Sequence, residues 1–80
     1  MTKDDVQDIF RSVFNDPQLT LFPEMAAKDV PAWDSFNHLN LILALEDRFG
    51  LRFSSEEIAA MANVNDLFTS LNRHGIAVAW

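Results

Sequence analysis

Residues 35–49, SFNHLNLILALEDRF, constrain the chain more than any other segment. Leu39, Leu41, Ile42, Leu43, Ala44 and Leu45 are apolar around more than half the circumference of a helix, so this segment is expected to be the most buried element. Gly50 then offers a left-handed stop. Such a helix needs partners, and the flanking sequence supplies them at helical spacing. Val6, Ile9, Phe10, Val13 and Phe14 form one apolar stripe between about Lys3 and Phe14, with Thr2 and Asp5 placed as a capping box and Asn15-Asp16-Pro17 as the stop. Ser54-Ser55-Glu56-Glu57 is a second capping box and opens a short helix through about Met61. Asn63 with Asp66 starts a fourth helix, whose apolar face is Val64, Leu67, Phe68 and Leu71 and whose end is Gly75. The apolar tail, residues 76–80, is placed to pack back on the bundle.

The sum is an all-α fold: a small bundle of three main helices plus one short helix, with a long connection from Asn15 to Asp34. Loops of that length are uncommon in small domains and often functional. This one carries Leu19, Leu21, Phe22, Met25, Val30 and Trp33, which are expected to pin it across the helices. Leu39, Leu43 and Phe49 are expected to face inward with Val6, Phe10, Val13, Phe68 and Leu71. At 80 residues, the whole of 1–80 reads as a single domain and a monomer.

Composition narrows the function. With no Cys, disulfides, thiolate chemistry and Cys-based zinc sites are excluded. A net charge of -6 repels phosphate backbones and anionic lipids, which argues against nucleic-acid and membrane partners and suits a basic patch on another protein. The start, Met1-Thr2-Lys3-Asp4-Asp5, lacks the apolar core of a signal peptide, and the longest apolar run is too short to span a bilayer; a cytoplasmic location follows as the expectation. Catalysis is hard to build. His38 and His74 are the only histidines, and Ser35, His38 and Asp34 lie together on one helical turn with no second wall to form an oxyanion hole. Glu46-Asp47 and Glu56-Glu57 are adjacent on helices and do not converge on a metal.

Ser35 has two readings. It can be a plain helix N-cap, a role that Ser supplies routinely. It can equally be an attachment point, since a phosphodiester there would sit at the positive end of the helix beside unpaired N–H groups. The surrounding pattern separates them. Asp34-Ser35 followed by an apolar residue, then Leu39, Leu41, Leu43 and Leu45 with Glu46 and Phe49, closely resembles the acyl carrier protein family. The long loop before Asp34, the short capped third helix and the fourth helix after Asn63-Val64 extend the resemblance over nearly the whole chain.

The resemblance implies a carrier, not an enzyme. A phosphopantetheinyl transferase would move phosphopantetheine from coenzyme A onto Ser35, and the arm's thiol would carry acyl groups as thioesters between acyl-loading and acyl-processing enzymes of fatty acid, polyketide or other specialised biosynthesis. Asp34 would serve transferase recognition. Partner docking would fall to Phe36, Asn37, His38, Asn40, Asp47 and Arg48, with Glu56 and Glu57 on the next helix. Two departures qualify this. Phe36 stands where the family usually has Leu, and Asn37, His38, Asn40 and Arg48 replace much of the acidic surface typical of its second helix. They favour a specialised carrier over a general one of fatty acid synthesis. An aminoacyl or D-alanyl cargo stays open, as does an unmodified interaction module in which Ser35 only caps a helix.

Overall fold

The computed structural model describes residues 3–80. Four α-helices follow in order: α1 Lys3–Val13, α2 Ser35–Phe49, α3 Ser55–Ala60 and α4 Val64–Arg73, with one 3-10 turn at Ala27–Asp29 before α2. Among the described residues there is no strand, as the helical spacing predicts. α1 and α3 each end one residue earlier than expected, at Val13 and Ala60. Thr2, half of the expected first capping box, lies outside the described residues.

Local chemistry accounts for the helix ends. Gly50 adopts φ 66°, and its N–H closes the last turn of α2 on Glu46 O. Ser54 and Glu57 cap α3 reciprocally, Glu57 N–H donating to Ser54 Oγ at 3.1 Å and Ser54 N–H to Glu57 Oε1 at 2.9 Å. Asn63 Oδ1 accepts from Asp66 N–H at the start of α4. The first N–H groups of α4, which no helix can satisfy itself, donate to the long loop: Val64 to Met25 O and Asn65 to Pro23 O.

Those contacts show how the loop is held. Leu19, Leu21, Met25, Val30 and Trp33 are buried in the core with Val6 and Phe10 of α1 and Phe14 just after it. Gln7 Oε1 accepts from Leu21 N–H, and Arg11 Nε donates to Leu19 O, so α1 also grips the loop backbone. Phe22 departs from the expectation: it is 41% exposed, because the turn that aims Leu21 inward aims its neighbour out. The tail packs back as expected. Val78 is buried, Asn72 Nδ2 donates to its carbonyl, and Trp80 stacks on Phe68 at 4.3 Å.

The main correction concerns α2. Its buried face is Leu41, Ile42 and Leu45, with Ala44 and Phe49 half-buried beside them. Leu39 and Leu43, expected inside, are 55% and 60% exposed. Val13 is half-buried, whereas Val6, Phe10, Phe68 and Leu71 are buried as expected. A helix apolar around most of its circumference carries little periodic signal, and so small a chain has no further element to cover its second face. Truncation distinguishes the two faces. Leu45→Ala should cost roughly 2–5 kcal/mol in urea denaturation, whereas Leu43→Ala should stay within about 0.5 kcal/mol. Comparable losses at both positions would contradict the two-faced helix.

Candidate functional site

The loop delivers the chain to α2 through Trp33. Its ring is buried against Phe10 and Phe14, each centroid 5.6 Å away. Asp34 follows with extended backbone and is the N-cap: its Oδ1 accepts from Asn37 N–H at 2.8 Å. Ser35 is therefore the first helical residue and not the cap, which corrects the capping reading of that serine. Its side chain stands exposed where the N–H groups of Ser35 and Phe36 have no partner within the helix.

Around that point three kinds of surface meet. The first is apolar and exposed: Phe36, at 73%, continues through Leu39 to Leu43 as a stripe at helical spacing. Sequence reasoning included Phe36 but missed the other two, because no periodic signal in α2 sets 36, 39 and 43 apart from 41, 42 and 45. The second is polar but engaged. Asn37 Nδ2 donates to Ala32 O at 2.7 Å and Asn40 Nδ2 to Asn37 Oδ1 at 3.2 Å. His38 is half-buried: Trp33 Nε1 donates to its Nδ1 at 3.1 Å, and its Nε2 lies 3.3 Å from Ile58 O of α3. The third is a groove between α2 and α3, about 740 Å³, with Asp34, Ser35, His38 and Ser55 at its polar edge and Leu39, Ile58, Ala59, Met61 and Ala62 as apolar wall.

Two of the charged docking candidates lie at the far end of α2 from Ser35. Asp47 and Arg48 are exposed, about 18 Å farther along α2. Arg48 Nη2 contacts Asp5 Oδ1 at 2.8 Å, and Glu46 accepts from Phe53 N–H, so Asp47 is the acidic group of that end of α2 that faces outward. Glu56 is exposed on α3, while Glu57 is half-buried and contacts His74 Nε2 at 3.0 Å. Among the described residues no cluster of His, Asp or Glu is arranged to hold a metal.

The site is thus an exposed hydroxyl at the start of a helix, beside an apolar groove in a small helical bundle. No family model matches the chain. Acyl carrier protein 3 of Ralstonia nicotianae is 27% identical over 66 residues, which cover 82% of this chain and 76% of that protein. The solution structure of a holo acyl carrier protein from Geobacter metallireducens superposes with a TM-score of 0.83 at 38% identity, covering 88% of this chain and 80% of that one. A Mycobacterium tuberculosis protein assigned as an acyl carrier protein has a TM-score of 0.79 over 89% of this chain and 95% of its own; at 20% identity it bears on the fold alone. The chain belongs to the acyl carrier protein family.

One titrating group bears on how α3 is held. Glu57 lies below its ordinary value of 4.5 because Ser54 N–H donates to it and His74 bonds and attracts it, with burial opposing. A carboxylate lowered by folding stabilises above the unfolded value and loses that contribution as pH falls through the folded one. The stability gap between the native chain and Glu57→Gln should therefore close between about pH 5 and about pH 3 in urea titrations. A gap unchanged over that range would mean the carboxylate contributes nothing.

Proposed function

We propose that this chain is a single-domain, non-enzymatic carrier that bears phosphopantetheine on Ser35 and presents an acyl cargo to partner enzymes. The observation that carries the proposal is the exposed Ser35 hydroxyl at the first position of α2, next to the apolar groove. The residues present fit such a group. Asp34, not Ser35, satisfies the cap, so modifying the hydroxyl costs α2 no hydrogen bond of its cap. A phosphodiester anion at Ser35 would meet the unpaired N–H groups of the first turn and the positive end of the helix dipole. When bound, the group supplies a terminal thiol for thioester chemistry.

The groove favours an acyl over an aminoacyl cargo. Leu39, Ile58, Ala59, Met61 and Ala62 offer an acyl chain apolar contact, whereas the ammonium of an aminoacyl group would find one nearby carboxylate, the capping Asp34. Asp34, beside Ser35, is the recognition residue for the phosphopantetheinyl transferase in this reading. Acyl-loading and acyl-processing enzymes would dock along Phe36, Leu39 and Leu43, with Asp47 and Glu56 at the margin. Asn37, His38, Asn40 and Glu57 are engaged internally, and Arg48 contacts Asp5, so they position this face more than they offer it. Docking of that kind is more apolar than electrostatic and suits partners of a specialised pathway in the cytoplasm.

Incubation with coenzyme A and a broad-range phosphopantetheinyl transferase should raise the intact mass by one phosphopantetheinyl group, and Ser35→Ala should stay unmodified. Leu43→Ser should still be modified, but its acyl loading by the cognate enzyme should slow about tenfold. Label on Ser35→Ala would overturn the attachment site; unslowed loading of Leu43→Ser would overturn the apolar docking face.

A further inference from the structure

α3 is the least anchored helix. It has six residues, none of them buried, and it leaves helical geometry at Met61. Apart from the half-buried contacts of Ile58 and Met61 with the core, two histidines tie it down, one from each side. His38 reaches it from α2 through Ile58 O, and His74 reaches it from the end of α4 through Glu57. These are the two histidines of the chain. We infer that His38 and His74 are opposed, pH-responsive ties that set how closely α3 sits on α2, and hence how open the groove beside Ser35 is. The role of that groove in holding cargo rests on the function proposed above; the movement of α3 does not.

The hydrogen-bond geometry gives the two ties opposite signs. An indole N–H only donates, so His38 Nδ1, 3.1 Å from Trp33 Nε1, carries no proton. The proton of this neutral ring is on Nε2, where it donates to Ile58 O at 3.3 Å. A second proton on Nδ1 would set two N–H groups against each other across 3.1 Å. The ring must then leave its place, and the bridge from the loop through α2 to α3 breaks. At His74 the same event adds attraction, because Nε2 faces both oxygens of Glu57 at 3.0 and 3.2 Å and an imidazolium makes that contact an ion pair.

The charges around each ring agree with this assignment. Of the groups lining the groove with His38, Asp34 is the one other that titrates, and its Oδ1 is engaged by Asn37 N–H. At His74, Glu57 faces the ring from α3, and Phe53 packs edge-on from the link that also carries the exposed Arg52. Asp66 and Arg73 of α4 line the adjoining hollow with Glu57 and offset one another in sign. Protonation of the two rings therefore releases α3 from α2 while tightening it on α4, and the groove widens on the side of Ser35.

The test is amide hydrogen exchange of residues 55–60 on the full chain carrying Ser35→Ala, corrected for intrinsic rates, at about pH 5.5 and about pH 8. With no arm present, failure of this inference leaves the Ser35 proposal untouched. Protection of α3 should fall about fivefold at the lower pH, the worth of one hydrogen bond, while α2 and α4 hold theirs. His38→Gln keeps both contacts, its carbonyl accepting from Trp33 and its amide donating to Ile58 O, but cannot take up the proton. It should stay protected at both pH values. His74→Gln should deepen the loss at the lower pH. Imidazole nitrogen shifts should report His38 as the Nε2–H tautomer at about pH 8. A pH-independent α3 in the native sequence, an unchanged pH profile in His38→Gln, or an Nδ1–H tautomer would each overturn the inference.

Discussion

Trp33 is the residue on which the placement of the site depends. The long loop ends there, and the indole is locked on two sides by Phe10 and Phe14 and on a third by its N–H bond to His38. Aromatic pairs in tilted and edge-on geometries add to what burial alone contributes. Directly after Trp33, Asp34 takes extended backbone and caps α2 through Asn37 N–H, a role that Asp favours. Ser35 consequently stands exposed two residues after a rigid anchor, directly behind its exposed cap Asp34. Its position at the mouth of the groove follows from Trp33, which packs on Phe10 and Phe14 on one side and lines the groove with His38 on the other.

α2 joins the two halves of the account. One face, Leu41, Ile42 and Leu45, closes the core; the opposite face, Phe36, Leu39 and Leu43, has nothing over it. A folded monomer has little reason to expose three large apolar side chains in line. The partner docking proposed above supplies one, and it fits a helix whose Asn37, Asn40, Arg48 and Glu46 are engaged by Ala32, Asn37, Asp5 and Phe53 in turn. Arg48 and Glu46 are engaged internally while Asp47 faces outward, so the docking proposed above rests mainly on shape and apolar contact.

Much of this was legible in the sequence because the signals are local. The capping pairs at Ser54 and Glu57 and at Asn63 and Asp66, the glycine at position 50, and the apolar stripes of α1 and α4 each depend on residues within one or two turns. Ser35 was singled out through the ordered residues around it, but that Asp34 and not Ser35 caps α2 came from the structure. The two faces of α2 were not legible, because Leu, Ile and Ala on every side erase the helical period, and only the position of α1 decides which side is covered. The groove and the His38 bridge were also out of reach. Trp33 and Ile58 are 25 positions apart, and nothing in their spacing shows that one imidazole will touch both.

The central claim is that Ser35 presents its cargo along the groove between α2 and α3. Backbone amide shifts of the chain, compared before and after conversion to a medium-chain acyl thioester, test it most directly. The account predicts changes at Ser35 and Phe36 that continue through Leu39, Ile58, Ala59 and Met61, with the faces of α1 and α4 remote from the groove silent. Changes confined to Ser35 and its immediate neighbours, or centred on α1 and the tail around Trp80, would contradict it.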